Sequence, residues 1–391
     1  MQKVTRTTTT TTTTTMSDGA STTSVTTSTQ VSVVPANATA EPRKLALPVV
    51  DLAVYLADPH SEAALAQCKL AALALEEHSA LSIKDPRVDE SDNAAFLDLM
   101  EDYFSQSTSD KLKDARPEIG YQVGSTPELT ELPRCGRDDE CKEAVEKMNA
   151  EDKPLDFNSE DPKWRFFHRM GTPPAVTQFP GLNAEPVVPE AFPNWIESMD
   201  KWGSLMLTAV TTLSEMVAIG FGLPKDTFVQ LSNHGPHLLA PTGSDLEKYG
   251  KVSTVLAGFH ADLNFLTIHG KSRYPGLNIW NRAGQKMLAS VPDGCLLVQA
   301  GRQIEHLTGG RVIAGFHEVV VVDSTIKAIE RQRAAGRPLW RISSTLFFHI
   351  ASDNLLKPLP AFETEENVKQ YPPILTGHQV QKELGFLNLS S

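Results

Sequence analysis

Four cysteines in 391 residues are too few for a disulfide framework. No stretch approaches the roughly 18 consecutive apolar residues of a membrane helix, so no membrane partner is expected. Basic residues are also scarce: 36 Lys and Arg against 48 Asp and Glu leave a formal charge of -12. Such a field repels a phosphate backbone, which argues against a nucleic-acid partner. What remains is a soluble, acidic, cytoplasmic chain, expected to be a monomer, long enough to bury a large core.

The N-terminus lacks large apolar side chains. Residues 7–15 are an unbroken threonine run, and Thr and Ser dominate to Thr29. Burial there cannot offset the entropy of ordering, so residues 1–44 read as a disordered tail. Lys3 and Arg6 precede the first acid, Asp18, which leaves an organelle transit peptide as the alternative, and Met16 as an alternative start. The tail carries +2, so the acid excess of about -14 lies in the rest.

Order is expected from Ala46 onward. Leu65, Cys68, Ala72 and Leu75 recur at spacings of three and four, predicting a helix over 61–81, and Phe96, Leu99, Met100 and Phe104 predict another over 93–105. Residues 134–160 are charged and aperiodic and read as a surface excursion. Cys135 and Cys141 within it are taken as exposed free thiols ahead of a metal knuckle or a redox pair. A long helix over 193–223 opens on Pro193 and ends at Gly220 and Gly222. From about Leu238 the pattern turns to short β-rich runs: 254–259, 265–269, 277–280, 295–299, 311–322 and 341–349. Helices first and a β core afterwards predict a sandwich, barrel or jelly roll.

The chemistry-bearing residues lie in that β region. His260 and Asp262 flank a small alanine, and His317 follows on another strand 55 residues beyond the aspartate. Two imidazoles and one carboxylate are the ligand set that holds Fe(II) on one face and leaves the opposite positions open. Arg341 and Ser343 come 24 residues after His317, on one face of a strand, as a fork for a carboxylate.

In the order His-x-Asp, His, Arg-x-Ser, the sequence resembles the Fe(II) and 2-oxoglutarate dependent dioxygenases, in the group similar to isopenicillin N synthase. The likeness runs from about residue 45 to 387. It takes in 47–51 (Leu-Pro-Val-Val-Asp), 260–267, Pro275 to Ile279, 291–298, Gly315 to His317, 341–348 and the Tyr-Pro-Pro-Ile of 371–374. The resemblance implies a mainly β fold with flanking α elements: a double-stranded β-helix, or jelly roll, over 236–352. An N-terminal helical region over 45–235 and a C-terminal extension over 353–391 complete one oxygenase domain, 45–391. It implies that His260, Asp262 and His317 are the metal ligands and that Arg341 and Ser343 bind the cosubstrate. Fe(II), 2-oxoglutarate and dioxygen would then oxidise a small molecule by hydroxylation, desaturation or cyclisation, with succinate and carbon dioxide released. A 2-oxoglutarate-independent oxidase of the same fold and an inactive binding protein are the alternatives.

Several positions depart from the family. Leu239, Ala240 and Pro241 stand where many relatives have a tyrosine that contacts 2-oxoglutarate, Glu318 replaces an arginine after the last ligand, and Gly301-Arg302 replaces Gly-Asp. Residues 78–83 and Asp85-Pro86 replace the aromatic strand and its Asn-His-Gly turn. Glu318 should face away from the site, since neighbours on a strand alternate. His306 competes with His317 as the last ligand but precedes the Thr308-Gly-Gly310 turn. His269 reads as a core or edge histidine, His349 shares parity with Arg341 and Ser343, and 164–168 is either a pocket wall or core.

Overall fold

The computed structural model describes residues 2–15, 21–34, 43–387 and 389. The chain divides into two compact units, Met1–Glu41 and Pro42–Ser391. In the first, the backbones of Gln2–Thr15 and Ser21–Val34 pair antiparallel. A lone two-stranded ribbon is marginally stable in water; of the tail expected to be disordered, residues 1, 16–20 and 35–42 lie outside the described residues.

The second unit is a mixed, sheet-rich body with flanking helices. Five strands order as Val255–Ala261, Phe316–Val320, Leu277–Trp280, Lys286–Ser290 and Arg43–Ala46, antiparallel except for the last pair. A larger sheet runs Val49–Asp51, Ala80–Lys84, Leu296–Ala300, Leu266–Gly270, Trp340–Phe348, His237–Leu239, Trp164–Met170 and Gly124–Thr126. Its ninth strand, Thr242–Asp245, lies beside Trp340–Phe348 and Trp164–Met170.

Alternation along the larger sheet sorts its side chains. Leu266, Ile268, Ile342, Leu346 and Phe348 join the main apolar core with Trp202, Met206 and Leu213 of the helix Trp195–Gly220. The opposite parity, Arg341, Ser343, Thr345 and Phe347, lines a cavity of about 510 Å³ that the five-stranded sheet walls with His260 and His317. Trp195–Gly220 is long and apolar enough to cross a membrane, but its apolar side is spent on this core. Gly220 permits the close pass of the helix Glu62–His78, because a Cβ there would strike the Cys68 carbonyl.

Three expectations need correction. The helix expected to reach Leu81 stops at His78, where Ser79 adopts a left-handed conformation (φ 56°) and Ala80–Lys84 leaves as a buried strand. The run 311–322 holds a shorter strand, Phe316–Val320, followed by the helix Asp323–Ala334. The segment 134–160 is not a free excursion. Asp138 caps the helix Asp139–Glu146 and turns Cys141 back on Cys135, and the two form a disulfide buried against Phe259 and Trp280. Farther on, Asp152 accepts from Trp280 Nε1 (2.7 Å) and from the Lys286 amide (2.9 Å), which ties the segment to the five-stranded sheet.

Candidate metal centre

Antiparallel pairing sets His260 directly opposite His317. The register shifts on either side of Ala257 re-aim the first strand, as bulges do near sites. The imidazole centroids are 4.2 Å apart. Asp262 follows one residue past the strand end, its backbone carbonyl taking the Arg302 amide at 2.8 Å. Its Oδ1 lies 3.7 Å from His260 Nε2 and 3.9 Å from His317 Nε2. One ligand atom from each of the three residues falls within 4.8 Å of the others.

Hydrogen bonds fix which atoms are free. His260 Nδ1 donates to the Gly258 carbonyl (2.6 Å) and His317 Nδ1 to the Gly315 carbonyl (3.2 Å). A carbonyl only accepts, so each proton sits on Nδ1 and each Nε2 keeps its lone pair for the cavity. Thr267 Oγ1 donates to Asp262 Oδ2 (2.6 Å), which leaves Oδ1 toward the histidines. Burial pushes His317 down to about 4, with the neighbouring His260 adding to it, and lowers His260 as well. Burial alone would raise Asp262, but His317, His260 and the Thr267 hydroxyl outweigh it and hold the carboxyl below its ordinary range. At neutral pH the cluster is two neutral imidazoles and one carboxylate, a donor set that fits a divalent cation.

Arg341 and Ser343 lie on the facing wall. Arg341 Nη1 donates to Ser343 Oγ at 2.9 Å. The guanidinium is buried without a carboxylate partner among the described residues, and burial draws it down to about 10. A buried, uncompensated cation is costly unless an anion meets it.

The remaining candidates separate cleanly. Glu318 turns away from the cavity and is buried against Lys286 (2.7 Å) and Asn278 (3.1 Å). His306 Nε2 meets the Pro372 carbonyl and its ring packs on Tyr371, away from the three clustered residues. Residues 164–168 divide by parity: Arg165 and Phe167 line the cavity, while Trp164 and Phe166 enter the core and His168 bonds Asp200. Leu238 and Ala240 line the cavity, while Leu239 turns into the main apolar core.

Three features escape sequence reasoning. His269 lines the cavity with Nδ1 3.1 Å from Thr345 Oγ1, its ring 6.5 Å from that of His317, and burial draws it to about 4. Its parity with Thr267 was the available signal. Thr267 itself orients Asp262. His349, unlike these, is set on the face of Arg341 and Ser343 by its parity, and it is buried on the cavity wall. An ion network, Glu131, Asp161, Lys163 and Arg165, completes the rim beside His260. Within it, Asp161 takes the Gly258 amide (2.8 Å), and the carbonyl of the same residue holds His260.

No protein-family profile matches the chain. Among curated proteins it is similar to azadirone synthase LFS of Melia azedarach, 25% identical over 232 residues, covering 56% of this chain. The chain spans 63% of the length of that relative. Among solved structures it is similar to a 2OG-Fe(II) oxygenase family protein of Caulobacter crescentus, with a TM-score of 0.68 and 22% identity, covering 87% of this chain and 99% of that one. Neurospora crassa T7H in complex with alpha-KG gives 0.66 at 14% identity, over 87% and 96% of the two chains. JOX2 in complex with 2OG, Fe and JA gives 0.61 at 16%, over 88% and 86%. The fold is thus shared across nearly the whole of the second unit.

Proposed function

From the fold it shares with the 2-oxoglutarate and Fe(II) dependent oxygenases, we propose that this chain is a non-haem Fe(II) oxygenase acting on a small molecule. Its two sheets are then the faces of a double-stranded β-helix with the cavity between them. His260 Nε2, Asp262 Oδ1 and His317 Nε2 hold the iron, with each Nδ1 proton committed to a backbone carbonyl and Thr267 fixing the carboxylate. Arg341 and Ser343 hold the distal carboxylate of 2-oxoglutarate, which gives the buried Arg341 guanidinium the carboxylate partner it lacks among the described residues. Bound iron supplies oxygen activation, coupled to decarboxylation of 2-oxoglutarate to succinate. The protein keeps that chemistry away from bulk water with Phe167, Phe347, Leu238 and Ala240 on one wall. In relatives, solved complexes contain alpha-KG in T7H and 2OG with Fe in JOX2, which supports the same cosubstrate here.

The single observation that carries this reading is the cluster of two Nε2 lone pairs and one carboxylate oxygen facing an unpaired, buried arginine across one cavity. Anaerobic calorimetry tests it: Fe(II) should bind one to one, 2-oxoglutarate should bind the iron form, and both should be lost in His260→Ala. Iron binding without 2-oxoglutarate binding would instead favour a 2-oxoglutarate-independent oxidase. No iron binding would sink the proposal.

A further inference from the structure

The cavity wall is rich in charge, and its pairing is informative about the substrate. Arg134 is engaged by Asp138 (2.6 Å) and by Glu383 of the C-terminal helix Thr376–Phe386. Lys163 sits between Asp161 (2.6 Å) and Glu131 (3.2 Å), and the same Glu131 binds Arg165. Arg165 is closed off further: its guanidinium lies 3.7 Å from the Phe167 ring centre, and its Nη2 reaches Thr126 at 3.2 Å. At the outer edge, Arg273 is held by Asp98 (2.8 Å) and Glu101 (2.6 Å), and Lys271 by Asp293.

Among the described residues that line the cavity, this leaves two charges without an opposite protein charge as a full partner. Asp262 belongs to the metal cluster and Arg341 to the cosubstrate. The lining histidines His269 and His349 are held neutral by burial, at about 4 and about 3. Every other charge is neutralised within the wall. Between these pairs the larger part of the surface is apolar, through Leu256, Leu263, Leu384, Phe167 and Phe347, with uncharged polar groups such as Thr242 and Ser244 among them.

We infer that the substrate of this cavity is an uncharged, largely apolar small molecule, and that the closed Glu131–Lys163–Arg165 network excludes carboxylates from the substrate position. The inference rests on the proposed function, because Arg341 is assigned there to 2-oxoglutarate. A substrate carboxylate entering the wall would have to break a buried ion pair to find a cation, and breaking one is strongly unfavourable. A neutral molecule loses nothing by burial against the same wall. The discrimination is set by an acid, Glu131, outside both the His260, Asp262 and His317 cluster and the Arg341–Ser343 pair.

The test uses matched pairs, each an aromatic, alicyclic or terpenoid carboxylic acid and its methyl ester. They are added to the full chain loaded with Fe(II) and saturating 2-oxoglutarate under argon, and read as thermal shift and direct titration. The 2-oxoglutarate affinity is measured first, so failure of the functional reading registers before the panel is run. Esters should bind, and each should exceed its acid by at least about tenfold, 1.4 kcal/mol. In Glu131→Gln, which frees Arg165 and leaves Lys163 with Asp161, the ratio should shift at least about tenfold toward the acid. Acids binding as well as their esters in the unmodified chain, or no ester binding at all, would overturn the inference. So would an unchanged ratio in folded Glu131→Gln. If that variant does not fold, the unmodified chain alone decides.

Discussion

Thr267 offers the sharpest test of how the second ligand layer works. Its hydroxyl donates to Asp262 Oδ2 at 2.6 Å, and both side chains are buried. Thr267→Val removes the donor and keeps the shape, so a carboxylate oxygen is left without its partner. A hydrogen bond to a charged acceptor contributes roughly 1.5–3 kcal/mol, which corresponds to about 10–150-fold in an equilibrium constant. Because the bond orients the oxygen that faces His260 and His317, the loss should fall on metal binding, in the range of about 10–100-fold usual for such outer partners. Titration of the folded apo-protein with Fe(II) under argon, and with Mn(II) as an air-stable probe, would measure it. Thr267→Ser should restore most of the affinity. A Val variant that melts like the unmodified chain and binds metal within about threefold, under 1 kcal/mol, would refute the assignment of Thr267 as the residue that orients Asp262.

Arg341→Met should raise the 2-oxoglutarate dissociation constant by roughly 30–150-fold, about 2–3 kcal/mol, while Ser343→Ala should cost about 0.5–1.5 kcal/mol. Equal small effects on both, read by anaerobic titration, would count against the carboxylate fork. Glu318→Ala leaves the buried ammonium of Lys286 without its carboxylate and should destabilise the fold by about 3–5 kcal/mol in urea unfolding. The folded fraction should still bind metal normally, since Glu318 faces away from the site. Burial draws His237 and His349 down to about 3, with His349 and Arg169 adding to the first and Arg169 to the second. His237 Nδ1 also accepts the His349 amide at 3.1 Å and so cannot take a proton there without losing that bond. Their folded values lie below the unfolded one, so their contribution is complete above about pH 6.5 and is lost as pH falls toward 3, at about 1.4 kcal/mol per pH unit for each. Below about pH 6.5 urea unfolding should show this slope added to that of the other buried histidines, and His237→Leu should lower it by about 1.4 kcal/mol per pH unit.

Much of the site was legible because its residues sit on strands whose parity can be counted. His260, Asp262 and His317 could be named, and Arg341, Ser343 and His349 could be set on one face, without knowing which strands pair. The register that opposes His260 to His317 was not legible, since it depends on a connection that the pattern of short runs does not measure. Strand Trp164–Met170 is buried along its whole length and shows no polar alternation, so its division into cavity and core faces emerged only from its neighbours. Cys135 and Cys141 were misjudged for a related reason. Their flanks are charged, yet Asp138 caps a helix that turns both sulfurs inward. The ion network joins Glu131 to Asp161, Lys163 and Arg165 across the whole 134–160 segment, a pairing that the sequence does not measure, and charge alone signals exposure.

On the proposed function, iron and 2-oxoglutarate meet in the cavity between His260, Asp262, His317 and Arg341. The most direct measurement is succinate formation from 2-oxoglutarate in air without added substrate, followed against Fe(II) concentration in the unmodified chain and in His260→Ala. Succinate that saturates near one Fe(II) per chain, and vanishes in the variant, is the result predicted. Complete absence of iron-dependent succinate in a chain that binds both ligands, or an undiminished rate in His260→Ala, would contradict it.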